Sequence, residues 1–160
     1  MSADGVPDEW PDLAGRIENG RHVLAVRVYY EDTDFSGVVY HSNYLKFMER
    51  GRSDFLRLLG VHHNELADGD GPPAVAFVVR HMEIDFRAPA RIDDVLTVTT
   101  WSREIRGARF FIDQTVSRGG DILIAAAVTA AAIDARGRPV RLPAELRARL
   151  EKPSNPGPNP

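Results

Sequence analysis

The chain has 160 residues, no cysteine and a formal net charge of −3. That length suits one domain with room for a real core. The missing thiols exclude a disulfide framework, Cys-ligated zinc and a cysteine nucleophile, and the mild acidity does not indicate wholesale nucleic-acid binding. No apolar run approaches a membrane span. The acidic start, Met1-Ser2-Ala3-Asp4-Gly5-Val6-Pro7-Asp8-Glu9-Trp10, has neither the basic beginning nor the apolar core of a secretory signal, so a cytoplasmic protein is expected.

Residues 1–20 mix Pro, Gly, Asp and Glu and read as an N-terminal extension, with at most a short helix over the apolar patch Trp10 to Ile17. The domain is expected over 21–151. His22 to Tyr30 reads as a strand, with Leu24, Val26, Val28 and Tyr30 on one parity. A helix is predicted from about Asn43 to Leu59, stopped by Gly60, with Ser42 or Asn43 as its N-cap. Tyr44, Met48, Gly51, Phe55 and Leu59 fall on one stripe, and Gly51 would let that helix lie close to a sheet.

After a connection over His62 to Pro73, four strands are predicted: Val75 to Phe86, Val95 to Ile105, Arg109 to Ser117 and Ile122 to Ile133. The first has apolar residues on both parities, which implies partial cover on both faces. The other three read as an antiparallel meander. The alanine run from Ala125 to Ala132 suits a helix by propensity. Its position after Gly119-Gly120, and the interleaved Val128 and Thr129, favour a strand. Pro143 to Leu150 closes the domain as a short helix, and the Pro-rich residues 152–160 read as a disordered tail. The layout is α+β: a long helix wrapped by a curved antiparallel sheet of about five strands. Its open edges call for a second subunit.

The chemistry concentrates between the first strand and the long helix. Tyr29-Tyr30-Glu31-Asp32-Thr33-Asp34 is followed by Phe35-Ser36, then Gly37-Val38-Val39-Tyr40-His41. Three carboxylates, a glycine and a histidine thus precede a helix start, where free backbone N–H groups and the positive end of the helix dipole lie. On residues alone, the favoured reading of Asp34 is an ordinary turn-forming Asp. Glu31 and Asp32, if in a strand, point to opposite sides.

These segments, with Asn43-Tyr44-Leu45 and Glu49-Arg50-Gly51-Arg52, resemble the opening of the hotdog-fold acyl-CoA thioesterases. The nearest branch is the one encoded with the bacterial Tol–Pal system and related to 4-hydroxybenzoyl-CoA thioesterase. Pro89-Ala90-Arg91-Ile92-Asp93-Asp94-Val95-Leu96 and Gly137-Arg138-Pro139-Val140-Arg141-Leu142-Pro143 are similar to that branch as well. Phe35-Ser36 departs from the small Ala-Gly pair often found there, which bears on the width of the acyl pocket.

The resemblance implies hydrolysis of an acyl-CoA thioester by a homodimer or homotetramer, with no cofactor beyond the CoA of the substrate and no metal. Acyl carrier protein is an alternative thioester carrier. The resemblance assigns Asp34 as general base or nucleophile, and the backbone N–H of His41 as leading oxyanion donor, within a substrate-binding stretch of Gly37, Val38, Tyr40 and His41. The His41 side chain is a second catalytic candidate and Glu49 a reserve carboxylate; an ion pair with Arg52 or Arg91 is the plainer role for Glu49. Lys46, Arg103, Arg106 and Arg109 are candidates for a CoA-phosphate rim, since Arg binds phosphate through a planar donor fork. Phe77, Val79 and Phe110 are candidates for the acyl pocket or for core. Three other readings stay open: a metal hydrolase using Glu31, Asp32, Asp34 and His41, a hotdog hydratase or dehydratase, and a non-catalytic acyl-thioester binding module.

Overall fold

The computed structural model describes residues 12–61 and 75–156. Six strands form one antiparallel sheet in the order β1-β2-β4-β5-β6-β3. They are β1 (Arg16–Glu18), β2 (Arg21–Arg27), β3 (Ala76–Phe86), β4 (Val95–Arg106), β5 (Arg109–Arg118) and β6 (Asp121–Ile133). Helix α1 spans Asn43–Leu58 and helix α2 spans Ala144–Glu151. A long helix on one face of such a sheet is the hotdog fold that the resemblance implies. The predicted connection from His62 to Pro73 lies outside the described residues.

Helix α1 meets the sheet along the predicted stripe: Tyr44, Met48, Gly51, Phe55 and Leu59 are all buried. Gly51 is what allows the approach. A Cβ built there would lie 2.8 Å from Val98 Cγ1, 3.0 Å from Thr100 Oγ1 and 3.2 Å from Gln114 Nε2. Opposite it, Leu24, Val26 and Val28 face the helix as the strand parity requires. Burying side chains such as Phe47, Phe55 and Met48 contributes about 1.5–3 kcal/mol each.

Departures from the expected elements have local causes. The first long strand stops at Arg27, and Tyr30–Asp32 form a single 3-10 turn. Tyr30 is therefore exposed, and strand alternation does not govern Glu31 and Asp32. Arg16–Glu18, inside the stretch read as an extension with a short helix, pairs with β2 as an edge strand and raises the strand count to six. In β3 the register shifts between Val79 and His81. Phe77 before the shift and Met82 and Ile84 after it can then all turn toward the core, which accounts for apolar residues on both parities.

The alanine run is strand in β6, paired on one side with β5 and on the other with β3. Tertiary pairing overrides helix propensity there. Ser42 stands at the N-cap of α1 but makes no side-chain cap bond. Of the residues read as a disordered tail, Asn155 is held: its Oδ1 accepts from the Ile17 N–H at 2.7 Å and its Nδ2 donates to the Ile17 carbonyl at 3.0 Å.

Candidate active site

The loop between β2 and α1 folds back on itself as a hairpin. Thr33 bridges Val39, the Asp34 N–H donates to the Val38 carbonyl at 2.9 Å, and the Gly37 N–H donates to the Asp34 carbonyl at 3.0 Å. Gly37 turns the chain at φ +82°, a left-handed conformation that a side chain would strain, and the space where a Cβ would stand is open. Asp34 lies on one arm of the hairpin and His41 just beyond the other.

Neighbouring elements fix this hairpin from both sides. The Asp32 carbonyl accepts from the Tyr40 N–H at 2.9 Å and from Asn43 Nδ2 at 2.8 Å, which ties the loop to the first turn of α1. The Tyr29 N–H donates to Asp32 Oδ2 at 2.8 Å, so Asp32 is a local structural carboxylate. On the far side Val38 bridges Arg91, and the Val39 N–H donates to the Ala90 carbonyl at 2.9 Å. The Ala90 N–H in turn donates to Tyr44 Oη at 2.9 Å, from within α1. Asp94 braces the segment from below: it accepts from the Arg91 N–H at 2.8 Å and from Arg118 Nη1 at 2.7 Å. Those two donors hold its carboxyl below the ordinary Asp value.

Asp34 itself is exposed. Its Oδ1 accepts from the Ser36 N–H at 2.9 Å and from the Ser36 hydroxyl, while Oδ2 has no partner among the described residues. The Ser36 hydroxyl is the main reason its carboxyl sits below the ordinary value, with the Ser36 N–H next. Asp34 thus makes the turn bonds of an ordinary loop Asp and still keeps one carboxylate oxygen free. The His41 N–H donates to no acceptor among the described residues, and α1 begins two residues later. The His41 ring packs edgewise against Tyr40 at 4.6 Å and Phe86 of β3 at 6.2 Å between centroids. Phe35 at the hairpin tip is fully exposed, as is much of Tyr30. The loop that carries Asp34 thus holds exposed aromatic side chains and leaves the carboxylate open.

The other candidates lie elsewhere. Glu49 is exposed on α1 and accepts from Ser53 Oγ at 2.9 Å; neither expected ion pair forms among the described residues. Arg52 turns inward instead and donates to Gln114 Oε1 at 2.9 Å. Lys46 is exposed on the first part of α1. Arg103, Arg106 and Arg109 sit at the end of β4 and start of β5, whereas Asp94, beside the hairpin, precedes the start of β4. The length of β4 separates these ends, roughly 35 Å at about 3.3 Å per residue, so one chain does not bring these arginines to Asp34. Arg103 pairs with Asp113 at 3.3 Å and Arg106 with Glu104, and both guanidinium groups lie over Phe111. Phe110 is buried core with Phe77 packed on it edgewise, and Val79 is half exposed on β3.

A depression of about 500 Å³ on the sheet includes Trp101, Asp113, Ala125 and Glu83 in its lining, but not Asp34, Gly37 or His41. Among the described residues no group of His, Asp and Glu is placed to hold a metal ion. No helix of the described residues is long and apolar enough to cross a membrane.

Asn43, Tyr44, Ala90, Asp94 and Arg118 hold the hairpin, and reading the sequence gave none of them that part. Asn43 was the one within reach, since a polar residue opening a helix and not needed as its cap is free to bond elsewhere.

Comparison with known proteins agrees with this architecture. Residues 36–125 match the family model of the thioesterase superfamily. The chain is 41% identical over 133 residues to the acyl-CoA thioesterase YbgC of Haemophilus influenzae, covering 82% of this chain and 95% of that protein. It is 39% identical over 129 residues to the acyl-CoA thioester hydrolase YbgC of Escherichia coli, covering 79% and 93%. Among solved structures, a probable thioesterase from Bartonella henselae is 50% identical, with a TM-score of 0.74 over 77% of this chain and 99% of that one. A 1,4-dihydroxy-2-naphthoyl-CoA thioesterase from Synechocystis is 26% identical, with a TM-score of 0.75 over 86% and 100%. In sequence and in fold, this chain belongs to the thioesterase superfamily.

Proposed function

We propose that this protein hydrolyses the thioester of an acyl-CoA to the free acid and CoA, with Asp34 as general base or nucleophile. The observation that carries the reading is the hairpin. Supporting it are a carboxylate with one oxygen unpartnered among the described residues, an open approach over Gly37 and, just beyond the hairpin, a His41 N–H that meets no acceptor among those residues, all on one loop leading into a helix. Thioester hydrolysis needs these groups. In the base route, water attacks the carbonyl carbon while Asp34 takes its proton, and the carbonyl oxygen gains negative charge. The His41 N–H, reinforced by the dipole of α1, stabilises that oxygen. The C–S bond then breaks and the thiolate of CoA takes up the proton. In the nucleophile route Asp34 attacks the carbonyl carbon, the C–S bond breaks and the CoA thiolate leaves; water then cleaves the mixed anhydride, which frees the acid, restores the Asp34 carboxylate and supplies the proton that the thiolate takes up. Neither route needs a resident cofactor or metal. The YbgC relatives, named as acyl-CoA thioesterases, support the choice of substrate class.

The open surface around Asp34 leaves the acyl group without an enclosing wall, so a second subunit is proposed to supply it. β3 stands at the edge of the sheet with Val78, Val79 and Phe86 exposed, which suits pairing with another copy. A cytoplasmic homodimer or homotetramer associated with the Tol–Pal system is part of the proposal. So is a phosphate rim of Lys46, Arg103, Arg106 and Arg109 that reaches substrate from another subunit.

The test is thiol release from a panel of acyl-CoAs, short aliphatic to aromatic, and from acyl carrier protein thioesters, with light scattering on the same sample. Release of free CoA, unaffected by chelators, from an oligomer is expected. An enoyl product instead of free thiol would favour the hydratase reading. Binding without turnover would favour the binding module, and a fully active monomer would remove the subunit-interface site.

A further inference from the structure

Asp34 is held asymmetrically, and Ser36 is its main anchor. Both hydrogen bonds to its carboxylate come from Ser36, one from the N–H at 2.9 Å and one from the hydroxyl, and both end on Oδ1. The N–H bond is available to any residue at this position, because the turn alone provides it. The hydroxyl bond is not. With Oδ1 fixed at two donors, rotation of the carboxylate about its χ2 torsion is restricted, and Oδ2 has no hydrogen-bond partner among the described residues. Sp²-ended torsions of this kind are otherwise broad. The neighbouring Phe35 cannot do this work, since its side chain carries no hydrogen-bond donor.

We propose that Ser36 is a positioning residue for the reaction: its hydroxyl locks Asp34 Oδ1 so that Oδ2 is the oxygen presented to water or to the thioester carbonyl. This rests on the reading of Asp34 as base or nucleophile. The same bond stabilises the charged form and keeps Asp34 ionised at lower pH than a free Asp. A carboxylate tied on one oxygen gives up some basicity for a fixed direction of attack. Near-attack geometry is among the larger contributors to rate, so the exchange favours turnover at neutral pH.

The test compares Ser36→Ala, Ser36→Gly and Ser36→Thr with the parent, in two measurements. The first is the titration of the Asp34 carboxyl carbon by NMR, which does not depend on catalysis. The second is the pH profile of kcat with an acyl-CoA that the parent turns over. Ala and Gly are expected to move the Asp34 midpoint and the acid limb of the profile upward. They should also lower the plateau kcat roughly tenfold, a part of the 10²–10⁴ that a general base supplies, with KM little changed. Thr, which keeps the hydroxyl, should restore both. An Ala variant matching the parent in midpoint and plateau, or a Thr variant behaving like Ala, overturns the proposal. If the midpoint moves while the parent's own Asp34→Asn variant remains fully active, then the catalytic reading of Asp34 has failed, and the positioning role falls with it. Circular dichroism of each variant separates these outcomes from misfolding.

Discussion

Replacing Gly51 by Ala tests how closely α1 is seated on the sheet. A helix interior ordinarily gains about 0.8–1 kcal/mol from this change. Here the new methyl would stand 2.8 Å from Val98 Cγ1, 3.0 Å from Thr100 Oγ1 and 3.2 Å from Gln114 Nε2. Gln114 cannot retreat freely, because its Nε2 donates to the Met48 carbonyl at 2.9 Å and to Thr100 Oγ1 at 2.8 Å. Overpacking of this kind costs about 1–3 kcal/mol, and a buried polar group left unpaired adds about 1–3 more. The net expectation is destabilisation by roughly 1–5 kcal/mol despite the gain in propensity. Urea denaturation followed by circular dichroism reads this as a lower midpoint with an unchanged slope. A Gly51→Ala, Val98→Ala double variant should lose less than the sum of the singles, since the two side chains compete for one space. A Gly51→Ala protein as stable as the parent, or more so, would refute the close-packing argument.

Two further predictions concern charge. Asp94 is held below its ordinary value by the Arg91 N–H and Arg118, so the stability it contributes is complete above its unfolded value and lost as pH falls through the folded one. The denaturation midpoint of the parent should therefore exceed that of Asp94→Asn by a constant amount above about pH 5, and the gap should begin to shrink near about pH 4 and close only as pH falls through the lower folded value; a gap independent of pH would contradict the ion-pair role. Neutralising two of Arg103, Arg106 and Arg109 should raise KM for acyl-CoA with little change in kcat, and salt should weaken the parent more than the variant; an unchanged KM in every combination would move the rim elsewhere.

Much of the fold was legible because long elements repeat their pattern. Leu24, Val26 and Val28 marked the inner face of β2, and the stripe from Tyr44 to Leu59 marked the inner face of α1. What escaped was short or non-periodic. Three residues of β1 are too few to show alternation, and its place at the edge is set by pairing with β2. Tyr30 looked like a strand residue because its parity fits, yet the chain had already left the ladder after Arg27. The shift near Arg80 reversed the parity of β3 midway, which no fixed period can represent. At the site, the motif located the hairpin, but its supports come from residues distant in sequence, Ala90, Asp94 and Arg118. Arg103 and Arg106 clustered near one turn, and the sequence could not tell that β4 carries them away from Asp34.

Whether Asp34 carries the hydrolysis is decided by setting Asp34→Asn against Glu49→Gln in the same acyl-CoA thiol-release assay. Asn preserves the size and turn bonding of Asp while removing its ability to take a proton or form an anhydride. Asp34→Asn should fold, assemble and bind acyl-CoA but lose about 10²–10⁴-fold in kcat, while Glu49→Gln, whose carboxylate accepts from Ser53 among the described residues, should stay near the parent. Near-parental kcat for Asp34→Asn together with loss of activity in Glu49→Gln would contradict that role of Asp34 and move the chemistry to the helix carboxylate.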